Sequence, residues 1–153
     1  LATVFLSASV LSGALSMARE AVSDYQLFSS VEAKAAQYIE VNTEPDAMFL
    51  TGLHHINPVY TLAGRRIVCG PSLFLYWHGL DYADRAMAVR EFYASPADNL
   101  ELLWRYGVDY IVVGQAERYG GELPAVNEPE LQSLFEVAYD EGGFTMYRVA
   151  PEE

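Results

Sequence analysis

The chain has one cysteine, Cys69, and one lysine, Lys34, in 153 residues. A single cysteine excludes an intramolecular disulfide and a cysteine-based zinc cluster, and leaves the redox compartment open. Basic residues are scarce overall: nine against 21 acidic ones, for a formal net charge of −12. Phosphate backbones repel so acidic a surface, which argues against nucleic-acid binding. A shortage of Lys and Arg is also what a segment on the outer side of a membrane carries, since no basic bias is needed there. Glycine-rich phosphate loops are missing as well. Gly70-Pro71-Ser72 and Gly120-Gly121 match no such spacing, so nothing in the chain calls for a cofactor.

What is present is apolar and aromatic. Hydrophobic residues make up 52% and aromatic residues 13%, which excludes a disordered chain. This length suits one domain that buries roughly 70% of its unfolded surface.

Leu1 to Ala18 (LATVFLSASVLSGALSMA) carries no charge before Arg19-Glu20. No basic stretch precedes the run, so it is not a signal peptide in form; the expectation is the end of a transmembrane helix, residues 1–20. Ser7, Ser9, Ser12 and Gly13 make the run only moderately apolar, and a buried amphipathic helix is the alternative. Residues 21–153 are expected to form one soluble α/β domain.

Within that domain, Ser29 and Glu32 have the spacing of a capping box, followed by Val31, Ala35, Tyr38 and Ile39 at helical period. Ala47–Thr51 suits a first buried strand. Asn57-Pro58 predicts a helix start, with Gly64 at its far end. Ile67–Cys69 predicts a second strand, and Phe74 to Tyr82 an aromatic loop. Asp81 or Asp84 is expected to open the next helix, with Ala86, Val89 and Tyr93 on one face. Leu100, Leu103 and Trp104 form a further stripe that Gly107 ends. Val108–Val113 has the β-branched and aromatic continuity of a central strand. Leu134–Tyr139 and Phe144–Val149 flank Asp140-Glu141-Gly142-Gly143 as an antiparallel hairpin. The order predicts a small Rossmann-like α/β sandwich: three parallel strands, extended by the hairpin and preceded by a hydrophobic helix.

In such a sheet the loops after the parallel strands share one edge. Those loops carry His54, His55, Trp77, His78, Glu117 and Arg118. The three histidines offer imidazoles to a metal, order their loops by hydrogen bonding, or touch a sugar. Adjacent imidazoles on an extended segment point apart, which disfavours joint ligation, and no metal site is expected. Arg65-Arg66 has the donor geometry of a phosphate clamp, or pairs with Asp81, Asp84 or Asp109. Tyr76, Trp77 and Tyr82 form a sugar-stacking platform or a membrane-interface cluster. Cys69 reads as a small buried hydrophobe, and Glu117-Arg118 as an ion pair or a general acid.

The segments NTEPDAMFL, HHINPVYTLAGRRIVCG, LYWHGLDYADR and LLWRYGVDYIVVGQAER, after VLSGALSMAR, carry a resemblance. Together they resemble the C-terminal extracytoplasmic region of polytopic membrane proteins of the C-type glycosyltransferase superfold. The nearest group is the prokaryotic dolichyl- or polyprenyl-phosphate-sugar transferase-like proteins. In that superfold the catalytic acids lie in loops between early transmembrane helices, and no position here corresponds to them. The resemblance therefore implies a non-catalytic accessory domain of a membrane transferase that uses a lipid-phosphate-linked sugar. Its implied partners are the membrane, the parent's transmembrane core, and the lipid-linked sugar or glycan acceptor. The residue-level alternatives are a free-standing soluble α/β enzyme acting around His55, His78 and Glu117, or an interaction module with a Tyr- and Phe-rich surface.

Overall fold

The structure, a computed structural model, describes residues 2–150, apart from the side chains of residues 2, 4, 7 and 8. Leu1 of the expected membrane run and residues 151–153 of the expected domain lie outside the described residues. The chain opens with α1 (Ala2–Ala21), on which Phe5, Leu6, Val10, Leu11, Leu15 and Met17 are all exposed. Among the described residues no helix is both long and apolar enough to cross a membrane. Residues 2–21 therefore form a helix, but one that by itself is no complete membrane span. Serines and Gly13 dilute the run, and Ser9 turns its hydroxyl back onto Phe5 O at 2.9 Å.

α2 (Ser30–Asn42) starts at the expected capping box. Ser29 Oγ accepts from Glu32 N at 3.2 Å, while Glu32 Oε2 accepts from Ser29 N at 2.7 Å. After β1 (Met48–Leu50), Asn57 Oδ1 accepts from Val59 N at 2.9 Å, and Pro58 opens α3 (Pro58–Thr61). β2 (Arg66–Ile67) is shorter than expected and begins one residue earlier. The first part of the expected aromatic loop, Phe74 to Trp77, is helical instead, within α4 (Ser72–Trp77), which starts after Pro71; residues 78–82 stay outside any helix. α5 (Ala83–Ala94) uses neither Asp81 nor Asp84 as a cap; it simply follows Tyr82, whose carbonyl accepts from Ala86 N at 2.8 Å.

A 3₁₀ turn (Ala97–Asn99) leads into α6 (Glu101–Tyr106), where Leu102 and Leu103 are buried and Trp104 is not. Gly107 ends it at φ 60°, a left-handed conformation that a side chain would strain. Then come β3 (Tyr110–Val113), an unanticipated α7 (Gln115–Tyr119), α8 (Glu128–Leu134), β4 (Glu136–Glu141) and β5 (Phe144–Arg148).

The sheet is mixed and five-stranded, in the order β2-β1-β3-β5-β4. β2, β1 and β3 run parallel; β5 is antiparallel to both β3 and β4. The pleat sends Leu50, Ile111, Val113 and Tyr147 to one face, where α5, α6 and α8 contribute Val89, Phe92, Leu103 and Leu131. Phe49, Val112, Phe144 and Met146 go to the other, under Ala35, Ala36 and Ile39 of α2 and Val59 of α3. Both faces are thus covered, which is why β3 reads as an unbroken apolar run. Each fully buried aliphatic chain stabilises by about 1.5–3 kcal/mol. These two cores, and not the exposed Lys34–Glu141 and Arg105–Glu101 pairs, hold the fold.

Candidate functional site

Parallel strands β1, β2 and β3 all end on one edge of the sheet, and α4, α7 and the histidine loop lie along it. The start of α2 reaches the same edge. Its Val31 lies so close to the β4–β5 turn that a Cβ on Gly142 would fall 2.7 Å from Val31 Cγ2.

Glu117 is the fixed point of this carboxyl edge. It is only 4% exposed. Its Oε1 accepts from Gly52 N at 2.9 Å and its Oε2 from Gly114 N at 2.8 Å, so one carboxyl group joins the ends of β1 and β3. Glycine leaves it room: a Cβ would come within 3.1 Å of Oε1 at Gly52 and 3.2 Å of Oε2 at Gly114, so the carboxyl group would have to shift by a few tenths of an ångström. Two carbonyls of the same strands have a side-chain donor as well. The fully buried Tyr93 hydroxyl shares its hydrogen between Val112 O at 2.6 Å and Leu50 O at 3.0 Å. Burial pushes the Glu117 carboxyl above its ordinary range, against the pull of the two glycine N–H groups and Arg118. Burial, then the nearby Glu117 charge, push the Tyr93 phenol well up. Both side chains face backbone, so the arrangement fastens strand ends and presents no acid or base to a ligand.

Arg118 does not pair with Glu117. It grips Glu128, Nε to Oε1 at 2.8 Å and NH2 to Oε2 at 2.7 Å, and also donates to Gly143 O. The sequence offered Glu117 as an ion-pair partner or a general acid, and Tyr93 as a core residue only. The missed signal was Gly114 followed three residues later by Glu117, a capping spacing with glycine in place of Ser or Thr.

The histidines lie in the segments that follow β1 and α4 on this edge. His54 is half-buried, with Nδ1 at 3.2 Å from both the N and O of Ile56. Its ring stacks on His55 at 4.8 Å, contrary to the expected divergence, because residues 53–56 bend instead of running extended. His55 is exposed, with its ring edge-on to Phe74 at 6.1 Å. His78 is an exposed residue at the end of α4. Among the described residues, no three His, Cys, Asp or Glu side chains are grouped to hold a metal ion. Trp77 is 74% exposed beside Tyr76, ring centroids 5.5 Å apart. Cys69 is buried against Gly70 O, its thiol pushed up by burial.

Arg65 and Arg66 lie at the opposite, amino edge. Arg65 closes the end of α2, donating to Glu40 O at 2.8 Å, Thr43 O at 3.1 Å, Ala63 O at 3.0 Å and Thr43 Oγ1 at 3.0 Å. It reaches neither Asp81, Asp84 nor Asp109, because the orphan carbonyls of a helix end are nearer. Arg66 is exposed on the edge strand. The structure thus brings His54 and His55 together, sets Trp77, His78, Glu117 and Arg118 on the same edge, and separates the two arginines from all of them. An open cavity of about 420 Å³ also marks the carboxyl edge, between Leu27, Val31, Gln115 and Phe144.

No protein-family profile matches the chain, and no curated protein matches it in sequence. Among solved structures, the fold is similar to the C-terminal globular domain of an oligosaccharyltransferase from Archaeoglobus fulgidus. The TM-score is 0.58 and the identity 12%, over 80% of this chain and 99% of that one.

Proposed function

We propose that the chain is the accessory extracytoplasmic domain of a membrane-bound glycosylation enzyme. One observation carries this reading: nearly all of a globular domain of an oligosaccharyltransferase finds its counterpart here. The site chemistry supports a non-catalytic role. The buried carboxyl group of Glu117 is committed to backbone, and Cys69 is an inert buried thiol. In this reading residues 21–153 act as one domain and α1 is the outer end of a membrane-buried helix, which gives its exposed apolar side chains a solvent that suits them. The domain packs on the transmembrane core of its parent and shapes the entrance for a lipid-phosphate-linked sugar or the glycan acceptor. Contact runs through His54, His55, Trp77 and His78 at the carboxyl edge, of which His55, Trp77 and His78 are exposed.

The test is the native polypeptide. It is expected in the membrane fraction, in a species much larger than 153 residues, and deleting the domain is expected to lower sugar transfer from a lipid-linked donor. A soluble species of 153 residues would overturn the proposal.

A further inference from the structure

We infer that α4 is a membrane-docking element, which beds the carboxyl edge of the sheet into the interfacial layer of a lipid bilayer. The observation is a concentration of unpartnered apolar surface. Leu73, Phe74, Tyr76, Trp77 and Leu80 are each more than half exposed, at 51–74%. Elsewhere in the domain the exposed apolar side chains are more scattered: Val41, Leu62 and Met87 lie on separate elements, and Trp104 and Leu134 share one pocket. Folding accounts only for Leu75, which packs against the core from one side of α4; none of the helix's residues is fully buried.

Three features commit the surface to lipid. The first is charge. Pro71 to Leu80 contains no Asp, Glu, Lys or Arg, in a chain of net charge −12. A protein partner would meet some charge to pair with; an uncharged, aromatic-rich strip suits the boundary between headgroups and acyl chains. The second is residue type, since Trp and Tyr place an apolar ring in the acyl boundary and a polar group toward water. The third is continuity with α1. The connection from α1 carries the exposed Val22, Tyr25 and Leu27 and enters α2 at the carboxyl edge, the edge on which α4 lies. Adjacent strands are about 4.8 Å apart. By that spacing the end of β2, where α4 begins, and the β4–β5 turn beside α2 are separated by only a few strand widths. One flat surface can therefore meet both the entering chain and α4. The inference rests on the proposed function for the presence of a membrane, and adds which edge faces it.

The two tryptophans make the test internal. Trp77 lies on α4, and Trp104 lies on the opposite edge beside Leu100, Phe135 and Val149. The full chain is incorporated into phosphatidylcholine vesicles whose lipids are brominated near the headgroup, and emission is compared between Trp104→Phe, which keeps Trp77, and Trp77→Phe, which keeps Trp104. Trp77 emission is expected to shift to the blue and to be quenched, while Trp104 emission stays unquenched. Should Trp104→Phe fail to fold, the difference between the unmodified chain and Trp77→Phe gives the same quantity. A chain that floats with the vesicles while Trp77 stays unquenched overturns the docking and leaves the proposed function standing. A chain that does not float at all removes the membrane reading itself. A blue shift without quenching, together with a doubled mass, assigns the surface to a second copy of the chain and also overturns the inference.

Discussion

The two edges of the sheet are fastened in different ways. At the amino edge the fasteners are at the surface: Asp109 Oδ2 accepts from Met48 N at 2.8 Å, and Arg65 reaches across to the end of α2. At the carboxyl edge they are internal, with Glu117 and Tyr93 serving four backbone groups from beneath the loops. The outer layer of the amino edge therefore has structural duties. That of the carboxyl edge has few, and its histidines and α4 aromatics are free to contact something else. A surface whose residues the fold does not need is where a contact function has room to reside.

The sharpest way to break this contrast is Glu117→Ala. It leaves the buried N–H groups of Gly52 and Gly114 without partners, at roughly 1–3 kcal/mol each, so a loss of about 2–5 kcal/mol is expected in chemical denaturation. The same residue has a pH signature. Its carboxyl group binds its proton more tightly in the folded protein than at the ordinary value of 4.5, so stability falls as pH rises from there through the raised value and is level beyond it. Subtracting the melting profile of Glu117→Ala from that of the unmodified chain should show that falling step. A difference that rises with pH would mean the carboxylate, not the acid, is the preferred buried form.

Arg65→Ala tests the other edge. It exposes the last carbonyls of α2 to water alone and is expected to cost about 1–3 kcal/mol, without altering the carboxyl edge. Gly107→Ala should cost about 1–2 kcal/mol through the left-handed backbone at φ 60°. Trp77→Ala is expected to change stability by less than about 0.5 kcal/mol, because its ring is mostly in solvent. A large loss there would show that α4 is a structural element after all, and the contrast between the edges would fail.

Much of the fold was legible because local signals and burial agree. Ser29 with Glu32, Asn57 with Pro58, Gly107 and the Gly142-Gly143 turn all stand where their chemistry predicts. α4 was not legible. SLFLYW has no capping side chain and no polar face to mark a helical period, so only its aromatic content registered. α1 was legible as a helix-forming apolar run, whereas its surroundings depend on what lies against it. The candidate site was read at the level of an edge but not of contacts. Loops after parallel strands must converge, so His54, Trp77, His78 and Glu117 could be grouped from the element order alone. That Arg118 prefers Glu128 to its neighbour Glu117 is decided by three-dimensional distance, and no spacing rule contains it.

The Glu117 fastener also bears on how the molecule breathes. Gly52 and Gly114 lie just outside the strands, where amides ordinarily exchange their hydrogens with solvent through local fraying. Here both are pinned to one buried oxygen pair, contributed by a residue 65 positions away from Gly52. Neither amide can open alone without uncovering the carboxyl group that the other also holds. The two should therefore share a single protection factor close to that of the central strands, so that the floor of the exposed edge moves as part of the core while the layer above it does not.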